Sequence, residues 1–179
     1  MQYTYISRFG YGGVSMGLQL LLVDDDPCAL RAVAYTLRHY LPALTIVPCE
    51  SAVSALSRLR HEPFTVVVSD FKMPDMDGLG LLRAARECGS DASFILMTGD
   101  STDDMLTQGL RLGMFALVNK PLNRATFIPL VQQAIECHRL RREVAELRRA
   151  LIESGVVCGS AIHGLVPETD EAFQPSLPY

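Results

Sequence analysis

Carboxylates, a hydroxyl and an ammonium recur in this chain just after short apolar runs. Asp24, Asp25 and Asp26 follow Leu20–Val23, and Asp70 follows Phe64–Val68 after one serine. Thr98 and Gly99 follow Phe94–Met97, and Lys120-Pro121 comes soon after Phe115–Val118. Carboxylates brought together repel one another and call for a cation. Oxygen donors suit a hard divalent ion, and a site of few carboxylates that keeps waters favours Mg²⁺. A lysine and a hydroxyl beside such an ion can bind the oxygens of a phosphoryl group. No Ser, Cys or His stands at one of these ends beside a base, and no Gly-rich phosphate loop occurs. The nucleophile left is a carboxylate, whose attack on phosphorus gives an acyl phosphate. Singly these residues have plainer roles, Asp26 as a helix cap before Pro27 and Lys120-Pro121 as a turn. The combination carries the signal.

The elements that must position them are regular from Leu18 onward. Leu30, Val33, Ala34, Leu37 and Leu41 have helical spacing, with Pro27 in the first turn. Ala52, Leu56 and Leu59 make a second helical face behind Ser51 as its cap. Leu79, Leu82 and Ala85 mark a third helix, Met105–Leu112 a fourth, and a last one begins near Thr126. Between them lie apolar runs at Leu20–Val23, Thr45–Val47, Phe64–Val68, Phe94–Met97 and Phe115–Val118. Continuous apolar strands are covered on both faces, which predicts a doubly wound α/β parallel sheet. Such sheets bind ligands at the carboxyl ends of the strands. Asp24, Asp25 and Asp70 therefore share a crevice with Thr98 and Lys120.

Four stretches match, in order and spacing, the receiver domain of bacterial two-component response regulators. They are Leu21–Pro27 (LLVDDDP), Val68–Gly78 (VSDFKMPDMDG), Leu96–Gly99 (LMTG) and Val118–Pro121 (VNKP). The chain resembles that family over about residues 18–138. The resemblance implies a flavodoxin-like (βα)5 fold of strand order 2-1-3-4-5. It implies that Asp70 is the phosphoacceptor, that Asp25 ligates Mg²⁺ directly and that Asp24 acts partly through water. The backbone carbonyl of Lys72 completes the metal shell, and Thr98 and Lys120 bind the phosphoryl oxygens. Lys120-Pro121 is a candidate cis peptide, and Lys72 and Asp100 occupy variable positions flanking the phosphoryl group. Thr98 and Leu117 occupy the family's switch positions. Leu117 departs from the usual Tyr or Phe, and Phe115 is expected on the opposite face. By the same resemblance the phosphodonor is a histidine kinase. The protein is then a phosphoacceptor rather than an enzyme, limited to self-catalysed phosphoryl transfer and autodephosphorylation.

Beyond the domain, Cys137, Leu140, Val144, Leu147 and Leu151 are spaced 3, 4, 3, 4, a heptad seam. The reading is a coiled-coil extension of the last helix that makes a homodimer. Glu136, Glu143, Glu146 and Glu153 interleave its arginines, unlike a nucleic-acid helix. We divide the chain into a flexible lead-in (1–15), the receiver domain (16–138), the coiled coil (139–154) and a mostly disordered tail (155–179). Translation starts at Met1 or at Met16.

The 179 residues are 49% hydrophobic and 20% charged, a globular composition. A net charge of −4 excludes a generally basic nucleic-acid coat. No apolar run approaches the roughly 18 residues of a membrane span, and no secretory signal is visible. Five dispersed cysteines read as reduced thiols, most of them buried, in a cytoplasmic protein. Output is expected through contact with an unidentified downstream protein, without direct nucleic-acid or membrane binding. Two alternatives stand beside this reading. One is a regulator or fragment acting on transcription or cyclic-nucleotide signalling through a partner. The other is a Mg²⁺-dependent phosphohydrolase with an aspartate nucleophile, which would place that nucleophile after the first strand.

Overall fold

The computed structural model of the protein describes residues 17–154. The lead-in, the choice of start, Cys158 and the tail lie outside them. Five strands alternate with five helices: β1 (Gln19–Val23), α1 (Pro27–Tyr40), β2 (Thr45–Cys49), α2 (Ala52–His61), β3 (Val66–Asp70), α3 (Gly78–Glu87), β4 (Ser93–Thr98), α4 (Asp103–Arg111), β5 (Ala116–Asn119) and α5 (Arg124–Glu153). All strand pairs are parallel, in the order β2-β1-β3-β4-β5. This is the flavodoxin-like order expected.

Period-2 alternation divides the core between the two faces of the sheet. Leu21, Val23, Val67, Phe94 and Leu96 pack with Leu56 of α2 and Leu82 of α3. Leu20, Leu22, Val66, Val68, Ile95 and Met97 pack with Leu37 of α1 and Phe127 and Val131 of α5. Each central strand is buried on both sides, which is why its sequence is apolar throughout.

The caps follow local chemistry. Asp26 Oδ1 accepts from Cys28 N–H, and Ser51 Oγ accepts from Ser54 N–H. Asn123 Oδ1 accepts from Ala125 N–H, so α5 starts at Arg124 rather than near Thr126. Strand β3 also starts and ends two residues later than its apolar run. The backbone ladder carries it to Asp70, where Phe71 N–H still donates to Met97 O at 2.7 Å. Phe115 and Leu117 do pack on opposite sides. Alternation within one strand would put residues two apart on the same face. They separate because β5 begins only at Ala116, leaving Phe115 in the irregular segment just before it.

The cysteine expectation needs correcting. Cys49 is buried and Cys137 partly so, but Cys28 and Cys88 are exposed. Both lie at helix ends, on the outer surface, where the apolar pattern does not reach. Burial raises the pKa of the Cys49 thiol, against the opposing influence of Arg58, so it is a protonated core group.

The chain divides between His138 and Arg139 into two compact units. In the first, His138 is buried, its Nδ1 3.2 Å from Asp91 O. In the second, residues 139–153 are helical and exposed, and Ser154 is an exposed turn.

Candidate functional site

The site forms at the carboxyl ends of β1, β3, β4 and β5. Asp24 follows β1 and is almost fully buried. Its backbone N–H donates to Cys49 O, and its Oδ1 accepts from Asp26 N–H at 3.0 Å. Its Oδ2 accepts from Lys120 Nζ at 2.9 Å. The same Nζ lies 2.8 Å from Asp70 Oδ1. Lys120 is placed by its own N–H donating to Thr98 O and by a cis peptide bond to Pro121. Burial opposes the ammonium charge. The hydrogen bonds and charges of Asp70 and Asp24 outweigh it and raise the Lys120 pKa above the usual lysine value.

Asp25 is exposed at the open side of the crevice, and the carboxylates of Asp24, Asp25 and Asp70 bring ligand oxygens within 4.8 Å of one another. The donors are all anionic oxygens, three negative charges against one lysine, with no His or Cys among them. A hard divalent cation fits that set.

Thr98 is buried at the end of β4. Its Oγ1 donates to Asp100 O at 2.9 Å and accepts from Asp100 N–H at 3.2 Å. The hydroxyl is thus engaged with its own loop. Lys72, two residues beyond Asp70, is exposed and reaches Asp100 Oδ2 with Nζ at 3.5 Å. Leu117 is partly buried against the core on the α2/α3 side. The structure therefore gathers Asp24, Asp25, Asp70 and Lys120 directly, with Thr98 and Lys72 tied to Asp100 beside them.

Gly78 is a site residue that the sequence did not single out. The β3–α3 loop turns back so that Gly78 N–H donates to Phe71 O at 2.9 Å. A Cβ at Gly78 would stand 2.7 Å from Asp70 O and 3.1 Å from Phe71 Cα. Only a glycine lets the loop close on the backbone of Asp70. The neighbouring Asp77 caps α3 by accepting from Gly80 N–H at 2.7 Å. The Asp-Gly pair was legible as a loop signal but not as a close approach. Gly78→Ala should destabilise the fold by about 1–3 kcal/mol, the usual cost of overpacking. Urea unfolding checks this, and an unchanged midpoint would show that the backbone yields freely. At Gly99, by contrast, a Cβ would meet nothing within 4 Å, which leaves the approach to the site open.

A parallel sheet of this order, with acidic residues and a lysine at its carboxyl edge, is the arrangement of receiver domains. The sequence profile of the response regulator receiver domain matches residues 20–132, and the chain belongs to that family. It is 34% identical over 144 residues to the C4-dicarboxylate transport transcriptional regulatory protein DctD of Pseudomonas aeruginosa, covering 80% of this chain and 31% of that protein. It is 33% identical over 138 residues to the two-component response regulator ARR2 of Arabidopsis thaliana, covering 76% of this chain and 20% of that protein. The chain thus spans less than a third of the length of these relatives. A CheY-like receiver domain protein from Methanospirillum hungatei shares its fold, with a TM-score of 0.65 at 23% identity, covering 69% of this chain and 98% of that one. No helix among the described residues is long and apolar enough to cross a membrane.

Proposed function

We propose that this chain receives a phosphoryl group from a phosphohistidine of a kinase on Asp70 and signals through contact with a downstream protein. One observation favours Asp70 over the carboxylate after β1. Asp24 is nearly fully buried and both its oxygens are engaged, Oδ1 by Asp26 N–H and Oδ2 by Lys120. A carboxylate held in this way is a poor nucleophile. The phosphohydrolase reading needs Asp24 to attack and Asp26 to assist, but Asp26 is occupied as the cap of α1.

In the proposed transfer an oxygen of Asp70 attacks phosphorus. The P–N bond breaks, its electron pair stays on the imidazole, which takes up a proton, and an acyl phosphate remains on the aspartate. Lys120 Nζ, already beside Asp70 Oδ1, holds position to bind a phosphoryl oxygen. Thr98 can bind another only by giving up its bond to Asp100 O, which links occupancy of the site to the β4–α4 loop. Leu117 occupies the second switch position as an aliphatic side chain, so any coupled movement there involves no aromatic ring. Asp24, Asp25, Asp70 and the Lys72 carbonyl would hold Mg²⁺, which neutralises charge on the oxygens being transferred. On this reading the protein acts in the cytoplasm, with the receiver over 16–138 and the helical extension over 139–154.

Labelling of the wild type from a phosphohistidine donor should require Mg²⁺ and stop with a chelator. Asp25→Asn should weaken Mg²⁺ affinity by at least about tenfold, since removing even a supporting group around a metal costs roughly 10–100-fold. Titration of bound Mg²⁺ by calorimetry measures this. Equal affinities for variant and wild type would remove Asp25 from the metal shell.

A further inference from the structure

Ser69 is fully buried one residue before Asp70, and the chemistry proposed above does not use it. It is paired in register with Val23 of β1 and Leu96 of β4. Alternation along β3 puts its side chain on the α2/α3 side of the sheet with Val67, opposite the Asp70 carboxylate. That layer packs Val23, Val67 and Leu96 and is apolar. A hydroxyl buried there must find a partner. Ser69 Oγ finds it in the carbonyl of the next residue, donating to Asp70 O at 2.8 Å.

The Asp70–Phe71 peptide that receives this bond is a rigid plane. Its N–H end is held by Met97 O at 2.7 Å, and its C=O end by Ser69 Oγ. The next carbonyl, Phe71 O, accepts from Gly78 N–H at 2.9 Å. Held at its N–H end alone, the plane could rock. It would carry the Cα of Asp70 with it on one side and the backbone leading to Lys72 on the other. Met97 O and Gly78 N–H are backbone groups, which other side chains at those positions could also present. Ser69 is the anchor that depends on a side chain.

We infer that Ser69 is a positioning residue of the phosphoacceptor site. By fixing the Asp70–Phe71 peptide it holds the Asp70 carboxylate and the Lys72 carbonyl in the mutual placement that transfer and metal binding require. This rests on the reading of Asp70 as acceptor and of the Lys72 carbonyl as a Mg²⁺ ligand. Ser69 itself touches neither phosphoryl group nor ion. It acts through the backbone, from the far face of the sheet.

The test uses the full chain and phosphoramidate, a small donor with a P–N bond. An Asp70 oxygen bonds to phosphorus as the P–N bond breaks, and the nitrogen leaves as ammonia with the proton it takes up. Mass spectrometry follows the gain of one phosphoryl group at saturating Mg²⁺, and calorimetry measures Mg²⁺ affinity without donor. Ser69→Ala deletes the hydroxyl. Ser69→Cys nearly keeps its size but supplies only a weak donor. Both should keep the far-ultraviolet circular dichroism of the wild type at the assay temperature. Both should lose about three- to tenfold in maximal rate and in Mg²⁺ affinity, the order of one neutral hydrogen bond. A merely structural role would lower the melting temperature and leave the folded protein's rate and affinity alone. Wild-type maximal rate or wild-type Mg²⁺ affinity in folded Ser69→Ala overturns the inference, as does a loss confined to the half-saturating donor concentration. Wild-type values in Ser69→Cys overturn it too, because side-chain volume and not the hydrogen bond would then matter. A wild type that gains no phosphoryl group overturns the Asp70 reading, and this inference with it.

Discussion

Replacing Asp70 by Asn should end acyl-phosphate formation while leaving the fold intact. The side chains are nearly the same size, so packing at the end of β3 is kept. The amide, however, cannot attack phosphorus. Removal of a nucleophile of this kind commonly costs about three orders of magnitude or more, and transfer should fall to background. The readout is hydroxylamine-sensitive label transferred from a phosphohistidine donor in Mg²⁺. Removing one of three clustered carboxylates also relieves repulsion, so metal-free stability should hold or rise slightly. Wild-type labelling of the variant would move the acceptor elsewhere, with Asp25, the exposed member of the cluster, next to be tested.

The second large effect is expected at Lys120. Among the described residues its ammonium is the one cation in an ion pair with both Asp24 and Asp70, at 2.9 and 2.8 Å. Lys120→Met keeps most of the stem and deletes the charge, leaving two buried carboxylates to face one another. Breaking a fully buried pair costs about 3–5 kcal/mol. The lysine side chain is 33% exposed, so screening reduces the expected loss to about 1–2 kcal/mol in metal-free buffer. Added Mg²⁺ should narrow the gap, because the ion supplies positive charge to the same carboxylates. The pH dependence follows from the direction of the lysine shift. A raised pKa in the folded state gives stability that is fully present below the ordinary value of 10.5 and is lost as pH rises through the higher folded value. Between about pH 7 and about pH 9 the gap between wild type and variant should therefore be flat. A gap that closed within that interval would show that another group governs it. Phosphoryl transfer should fall in the same variant, since a positioned donor to a phosphoryl oxygen is gone.

The sequence made the sheet legible because its central strands are buried on both faces and so are written as unbroken apolar runs. It made the acidic cluster legible because those runs end in charge. Strand limits were less clear. Ser69 and Asp70 are polar and yet belong to β3, since the ladder is held by backbone groups that no side chain reports. The tie between Thr98 and Asp100, and that between Lys72 and Asp100, depend on how two loops approach each other. No periodicity encodes such a meeting. Gly78 was hidden for a related reason: its necessity comes from an atom eight residues away, Asp70 O, that the folded loop brings near. The exposed thiols of Cys28 and Cys88 show the limit of composition, which reports average burial and not position.

The alternation along the strands has one more consequence. Asp70 shares a face of the sheet with Val66 and Val68, whose packing partners are α1 and α5. Thr98 shares the other face with Phe94 and Leu96, and Leu117 packs there as well. The sheet is thus a partition with the acceptor on one side and the responding residues on the other. The middles of the three central strands are apolar, and their polar residues Ser69, Asp70 and Thr98 gather at the carboxyl edge. News of a negative charge at Asp70 has to pass over the rim, where Thr98 O accepts from Lys120 N–H and the loops meet. At that rim the two faces of the sheet are joined by hydrogen bonds between neighbouring loops.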